Sequence, residues 1–398
     1  MRPFELSPAD PLFLRDARPM AGSDVGRGAN WPRPDQLWNA LINAFHAAWP
    51  ERRDWEGAPP RKTGRAKPER ARSSDRFGAL KSVGPFPFIK ANGADAPWFP
   101  CPADLGMKWV SLGDTDLPSP LRYAFLPKTK EKTAHPQWID ADRYRKYLAG
   151  ETFTLPDAEL CDCERAIGIA MDPETGAAED AKLYQAEYLR LRPGVSMIFF
   201  ADCRLQPKDG ALVDVFDRQD RPRRLVFGGQ RGVADISPVE KGFAFPFAGG
   251  ATPFSGNGKV FLRWTLLTPA VFESGWRPGW VRENGKAQLP RGKVGRRDFP
   301  GKEARRKAKA ALGFVEARLV AARVPKPLAF SGWRVDENSP KPTLLAVPGG
   351  SCYVFECPDA EEAGALAKAL SWPNPRSDRF GEKGFGIGVC SQVFPHDD

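Results

Sequence analysis

The chain has 398 residues, of which 41% are hydrophobic and 27% charged, and a formal net charge of +10. That balance fits a soluble globular protein large enough for two or three cores. The longest apolar run, around Val195–Ala201, is strand-sized and excludes a membrane-spanning helix. The 40 prolines and 38 glycines imply turns and extended connections, and argue against a helical repeat.

Glu5, Asp10 and Arg15 interrupt the first stretch, Met1–Asp16, so it lacks the layout of a secretory signal and a cytoplasmic protein is expected. Met1–Leu6 and Pro11–Arg15 read as extended. Asp35–Trp49 reads as a helix, because Leu37, Trp38, Leu41, Ile42 and Phe45 recur at helical spacing, Asp35 can cap the start and Pro50 ends it. Residues 51–164 look like a large insertion, Pro-rich and basic, with a few short strands. Arg165–Met171 and Leu183–Arg192 flank a turn at Asp172–Gly176, and Val195–Cys203 continues that strand region. Arg223–Ile236 closes the first half as a strand broken by Gly228, Gly229 and Gly232.

The second half repeats the order. Lys259–Thr268 is a strand, and Lys302–Arg323 starts as a helix whose end, from Val315, can equally be a strand. Leu328–Trp333 and Ser351–Cys357 are strands, Ala360–Leu370 is a helix, and Phe385–Val393 is a last strand reached through Gly381, Gly384 and Gly386. The expected fold is therefore α+β: two βαββαβ units, 1–248 and 249–398, joined near Gly249–Gly250. Each unit would carry helices on one face of a four-stranded sheet and leave the other face free. Leu41, Ile198, Phe200, Leu262, Leu266, Val354, Leu366 and Ile387 should be buried.

The basic excess is local. Between Lys286 and Lys309 ten basic residues face only Asp298 and Glu303, a net of +8, and Arg52–Lys81 is a second basic run. Such runs are either solvated loops or contacts for a polyanion. Catalytic patterns are missing: no HExxH, GxSxG or P-loop motif occurs, and only His46, His135 and His396 are present. The seven cysteines include one close pair, Cys161 and Cys163, without the second pair of a tetrahedral zinc site. No metal and no cofactor is expected.

Several stretches, in order along almost the whole chain, carry a resemblance. They are Pro8–Pro19, Trp98–Leu105, Phe227–Arg231, Thr268–Phe272, Gly275-Trp276, Ser331–Trp333, Val347–Ser351 and Glu382–Gly388. Together they resemble the RAMP superfamily of CRISPR RNA-binding proteins, most closely the type III-B (Cmr) member that holds the 5′ handle of the guide RNA. Gln230 stands where an acidic residue is expected, and Trp38-Asn39 where small residues are usual. The resemblance implies two ferredoxin-like domains with large loop insertions and no catalytic activity. It also implies assembly with guide RNA, a large polymerase-like subunit and repeated backbone subunits, in antiviral defense.

Candidate RNA contacts follow from residue chemistry beside that resemblance. Arg15 and Arg18 flank Asp16; arginine's rigid donor fork suits phosphate, and Asp16 can orient one guanidinium or simply pair within the strand end. Gly228, Gly229, Gln230 and Arg231, and the loop of Lys383, Gly384 and Phe385, can bring backbone N–H groups to phosphate, or serve as turns needing positive φ. Trp31, Phe86, Phe88, Trp276 and Trp280 lie near basic residues, where rings either stack on bases or fill the core. Two other functions fit the residues: an endoribonuclease using His46, and a protein-binding scaffold without RNA contact.

Overall fold

The computed structural model describes residues 1–15, 25–50, 77–90, 95–111, 117–128, 135–172, 174–205, 212–239, 243–248, 254–255, 258–292, 301–334 and 339–394. Asp16, Arg18, most of the Arg52–Lys81 run and the expected join at Gly249–Gly250 lie outside them.

The elements that matter for function are strands β1 (Arg2–Pro8) and β2 (Val25–Gly28), helix α1 (Pro34–Ala48), and strands β3 (Lys81–Ile89), β4 (Ala96–Pro100) and β5 (Trp138–Asp140). Helix α2 (Ala141–Ala149) and strands β6 (Cys161–Met171), β7 (Ala178–Leu191), β8 (Val195–Asp202), β9 (Arg224–Val226) and β10 (Val233–Pro238) complete the first half. The second half has β11 (Val260–Leu266), α3 (Lys302–Ala311), β12 (Arg318–Arg323), β13 (Cys352–Cys357), α4 (Ala360–Leu370) and β14 (Gly388–Val393).

The first sheet runs β9-β10-β1-β8-β3-β4-β5 and the second β12-β13-β11-β14. Within the first, β1, β3, β8 and β10 stand in the order fourth-first-third-second. The second sheet has the same order read from its other edge, with every pairing antiparallel. The fold is α+β, as expected, and all eight residues expected in the core are buried.

α1 forms much as its periodicity dictates. Leu37, Trp38, Leu41, Ile42 and Phe45 are buried, and Pro34 occupies the first turn, where a missing N–H costs nothing. The cap is Arg33 rather than Asp35: the Arg33 N–H donates to Gln36 Oε1 at 2.8 Å, while Asp35 pairs with the Arg33 guanidinium at 3.0 Å. Against α1 pack Phe4, Leu6, Met197, Phe199 and Ala201. No second helix packs beside α1 on this face of the sheet among the described residues; α2 lies against the opposite face. The place beside α1 is taken by a single 3₁₀ turn, Val215–Asp217, whose Phe216 ring lies 4.7 Å from Phe4 and 5.4 Å from Phe45.

Three expectations need correction. The strand beside β8 is β3, which lies inside the stretch expected to be inserted. Its Gly84-Pro-Phe-Pro composition reads as loop, but the sheet accommodates Gly84-Pro85 at a bulge opposite Ile198–Phe200, and Val83, Phe86 and Phe88 are buried. The 161–191 hairpin instead joins β2 in a separate sheet, β2-β7-β6. Salt bridges cross it diagonally, Glu164 with Arg190 and Asp162 with Arg192, so this part of the hairpin carries ion pairs where a core strand would carry apolar side chains.

The third correction concerns the free sheet face. β8 alternates: Met197, Phe199 and Ala201 face α1, while Ile198 and Phe200 join a second cluster with Phe86, Phe99, Tyr144, Phe245, Ile387 and Val389. Both faces of the first sheet are therefore covered. Phe245 stacks on Trp372 at 4.0 Å between ring centroids, and these aromatics join the two halves.

Candidate nucleic-acid interface

One group of expected residues converges at the end of the first sheet. Leu12 and Leu189 exchange backbone hydrogen bonds at 2.8 Å each, Leu14 N–H donates to the Gly28 carbonyl at 2.8 Å, and Gly229 N–H donates to the Phe13 carbonyl at 2.7 Å. The segment ending in Arg15 is thus clamped between β7, β2 and the turn that joins β9 to β10. Phe13 is the wedge. Its ring lies 5.5 Å from Tyr188, and a Cβ at Gly28 or Gly229 would approach it to 2.4 or 2.8 Å. Two glycines of this region are thereby required by packing alone.

The turn itself is strained. Gly228 has φ +87°, and Gln230 and Arg231, which carry side chains, have φ of 54° and 57°. Phe227 N–H donates to the Gly232 carbonyl at 2.7 Å, Gly232 N–H donates to Gly229 O at 3.2 Å, and the Tyr188 hydroxyl donates to Gln230 Oε1. The strain holds Gly228 through Arg231 at the surface, where all four are exposed, as are Arg15, Arg27 and Arg223. Arg224 and Arg190 are engaged elsewhere, with Asp235 and Glu164. Arg15, Arg27, Arg223 and Arg231 are thus exposed around a backbone fixed by its own hydrogen bonds.

The second group lies apart from the first in the fold. Gly381–Lys383 is a 3₁₀ turn between Phe380 and Gly384, both left-handed, at φ 62° and 92°. Phe385 is buried with Phe330, and the Lys383 ammonium sits 4.6 Å from the Trp38 ring and 3.4 Å from Asn39 Oδ1. Burial lowers the Lys383 pKa, with nearby Asp35 opposing. A Cβ on Gly384 would fall 2.2 Å from the Ser82 carbonyl oxygen. This loop seals the second half against α1 and β3. Trp38 and Asn39 are what receive Lys383. Helix α1 touches both the β9 side and the 381–383 turn.

The model of the CRISPR-associated protein family Cas_Cmr3 matches residues 4–391. The chain belongs to this family. It is a RAMP-type subunit of type III-B CRISPR systems. No curated protein is matched. Among solved structures, the chain is similar to one in the type III-B Cmr-beta complex bound to cognate target RNA and AMPPnP, at 12% identity and a TM-score of 0.40, over 88% of this chain and 86% of that one. It is also similar to a chain of the Csm3-Csm4 subcomplex of the type III-A interference complex, at 11% identity and 0.37, over 89% and 92%.

One constellation in this Cas_Cmr3 chain escaped the sequence reading. Arg263, on the face of β11 turned from α4, donates to Asp104 at 3.1 Å, to the Tyr147 carbonyl at 3.0 Å and to Ser391 Oγ. The Tyr147 hydroxyl donates to Asp104 Oδ1 at 2.6 Å, and the Cys352 thiol lies 3.1 Å from the same oxygen. Burial, with Asp104 adding to it, pushes the Cys101 thiol up to about 12. The only signal was the Trp98–Leu105 motif, which contains Asp104 without its partner. His46 packs edge-on against Phe77 at 5.2 Å, on the flank of α1. No His/Cys/Asp/Glu group suited to a metal occurs among the described residues.

Proposed function

We propose that this chain is the non-catalytic subunit that holds the 5′ handle of the guide RNA in a type III-B ribonucleoprotein. In this reading it sits in the cytoplasm, contacts the large polymerase-like subunit and the backbone subunits, and serves antiviral defense. Its halves, 1–248 and 249–398, are two ferredoxin-like domains. Their shared strand order supports that assignment, since it is the order a βαββαβ unit adopts.

The observation that carries the reading is the exposed turn Gly228–Arg231, left-handed at Gly228, Gln230 and Arg231 and held by Phe13 and Tyr188 beside Arg15. A pre-formed basic turn accepts phosphate without an ordering cost, and its glycines let backbone approach backbone. Arg15, Arg18, Gln230 and Arg231 grip the sugar–phosphate chain, with Asp16 orienting an arginine. Gly384 and Phe385, expected as handle contacts, are buried and serve packing instead, which leaves Lys383 as the one contact this loop offers the handle. The edge-on packing of His46 supports a structural role for it.

Salt titration of handle-RNA binding tests the reading. Each phosphate contact on a single strand adds a slope of about −0.7, so Arg15→Ala and Arg231→Ala should each flatten it by about that amount and weaken all handle sequences alike. Parental affinity and slope in both variants would refute the site. Absence of RNA from natively purified protein would favour a scaffold without RNA contact.

A further inference from the structure

Helix α3 is placed unlike any other helix here. Among its described side chains none is buried, and no residue of α3 belongs to the core beneath α4. Its sequence, KEARRKAKAA, offers that core only alanines. Lys302, Arg305 and Arg306 stand at i, i+3 and i+4 and share one face, and Glu303 is the helix's one acidic residue. Ten residues are too few for an isolated helix to be stable in water. Lys302 and Arg306, one turn apart, carry like charge, so a bound polyanion would relieve repulsion as well as add contacts.

Just beyond α3 the chain reverses at Gly313, φ 64°, and Phe314 follows with 57% of its surface exposed. Its backbone is fixed: Arg291 N–H donates to Gly313 O at 3.2 Å and Val315 N–H to Leu289 O at 2.9 Å. A large ring is thus held in solvent at the end of a cationic helix. From Arg306 to Leu312 the helix rises about 9 Å, the span of two or three stacked nucleotides at about 3.4 Å each.

We infer that α3 and Phe314 form a second RNA-binding site, separate from the Gly228–Arg231 turn, that takes a single strand. Lys302, Arg305 and Arg306 meet successive phosphates and Phe314 stacks on a base. Cations alone fit any polyanion; the exposed ring selects unpaired RNA, because only a single strand presents a base face. The site goes beyond handle binding and does not depend on it.

The test uses the full chain with fluorescent oligouridine, which lacks any handle sequence, an RNA duplex of equal length, and polyglutamate as an acidic polypeptide. Replacing Lys302, Arg305 and Arg306 together by Gln should reduce the oligouridine salt slope by about 2. Phe314→Ala should weaken oligouridine binding roughly 5- to 150-fold with the slope unchanged. Melting should stay parental in both, since these side chains leave the core untouched. Arg231→Ala, run alongside, separates the two sites: its effect on oligouridine binding should add to that of the α3 variants, as for two independent sites. Failure of the parent to bind oligouridine, or parental binding by the α3 variants, overturns the inference whatever Arg231→Ala does. So does an equal loss on duplex with no effect of Phe314→Ala. Loss of polyglutamate binding with oligouridine binding intact would assign α3 to an acidic protein instead.

Discussion

The guanidinium of Arg263 and the carboxylate of Asp104 meet at 3.1 Å with 11% and 6% of their side chains exposed. The pair joins the central strand of the second sheet to a turn that follows β4 of the first. Tyr147 stacks against the guanidinium at 3.8 Å and donates its hydroxyl to Asp104. Arg263→Met would leave Asp104 buried without its cation. The expected loss of stability is about 3–5 kcal/mol, measured by urea or thermal unfolding. A loss below about 1 kcal/mol would mean that the aromatic junction around Phe245 and Trp372 holds the halves by itself.

Glycine 384 gives a second expectation. Its φ is +92° and a Cβ would collide with the Ser82 carbonyl, so Gly384→Ala should destabilise by about 1–3 kcal/mol or more. Gly364, inside α4, has nothing within 4 Å of its Cβ position. There the same substitution should stabilise by up to about 1 kcal/mol, by reducing unfolded-state freedom. Equal melting of the two variants would contradict the packed loop.

For His46 the expectation is catalytic silence. Its ring packs on Phe77, and His46→Ala should leave RNA cleavage by the assembled complex within a few-fold of the parent. A loss of a hundredfold or more, typical for a removed acid–base group, would restore the nuclease reading.

Thiol reactivity follows from burial. The thiolate is the nucleophile, and the Cys101 pKa of about 12 keeps that thiol protonated near pH 8. Cys163 is exposed. Iodoacetamide at pH 8 should modify Cys163 well before Cys101 when sites are followed by mass spectrometry. Early labelling of Cys101 would show that the 98–105 turn opens readily.

Sequence alone determined the elements with local logic. Apolar periodicity placed α1 and α4, the motif order assigned the family, and the glycines of 228–232 marked a turn. These are legible because capping, periodicity and positive φ act within a few residues. What only the tertiary structure decided depends on residues distant in the chain. β3 hides behind its prolines because a bulge in β3 itself takes up Gly84-Pro85 opposite Phe199 of β8. The second sheet face vanishes because Phe245, Phe247 and Ile387 arrive from elsewhere to cover it. Lys383 reads as a surface cation until α1 brings Trp38 beneath it. Asp104 and Arg263 are 159 residues apart, and a buried ion pair has no period: each charge is intelligible only once the other has been brought within about 3 Å and water removed from both.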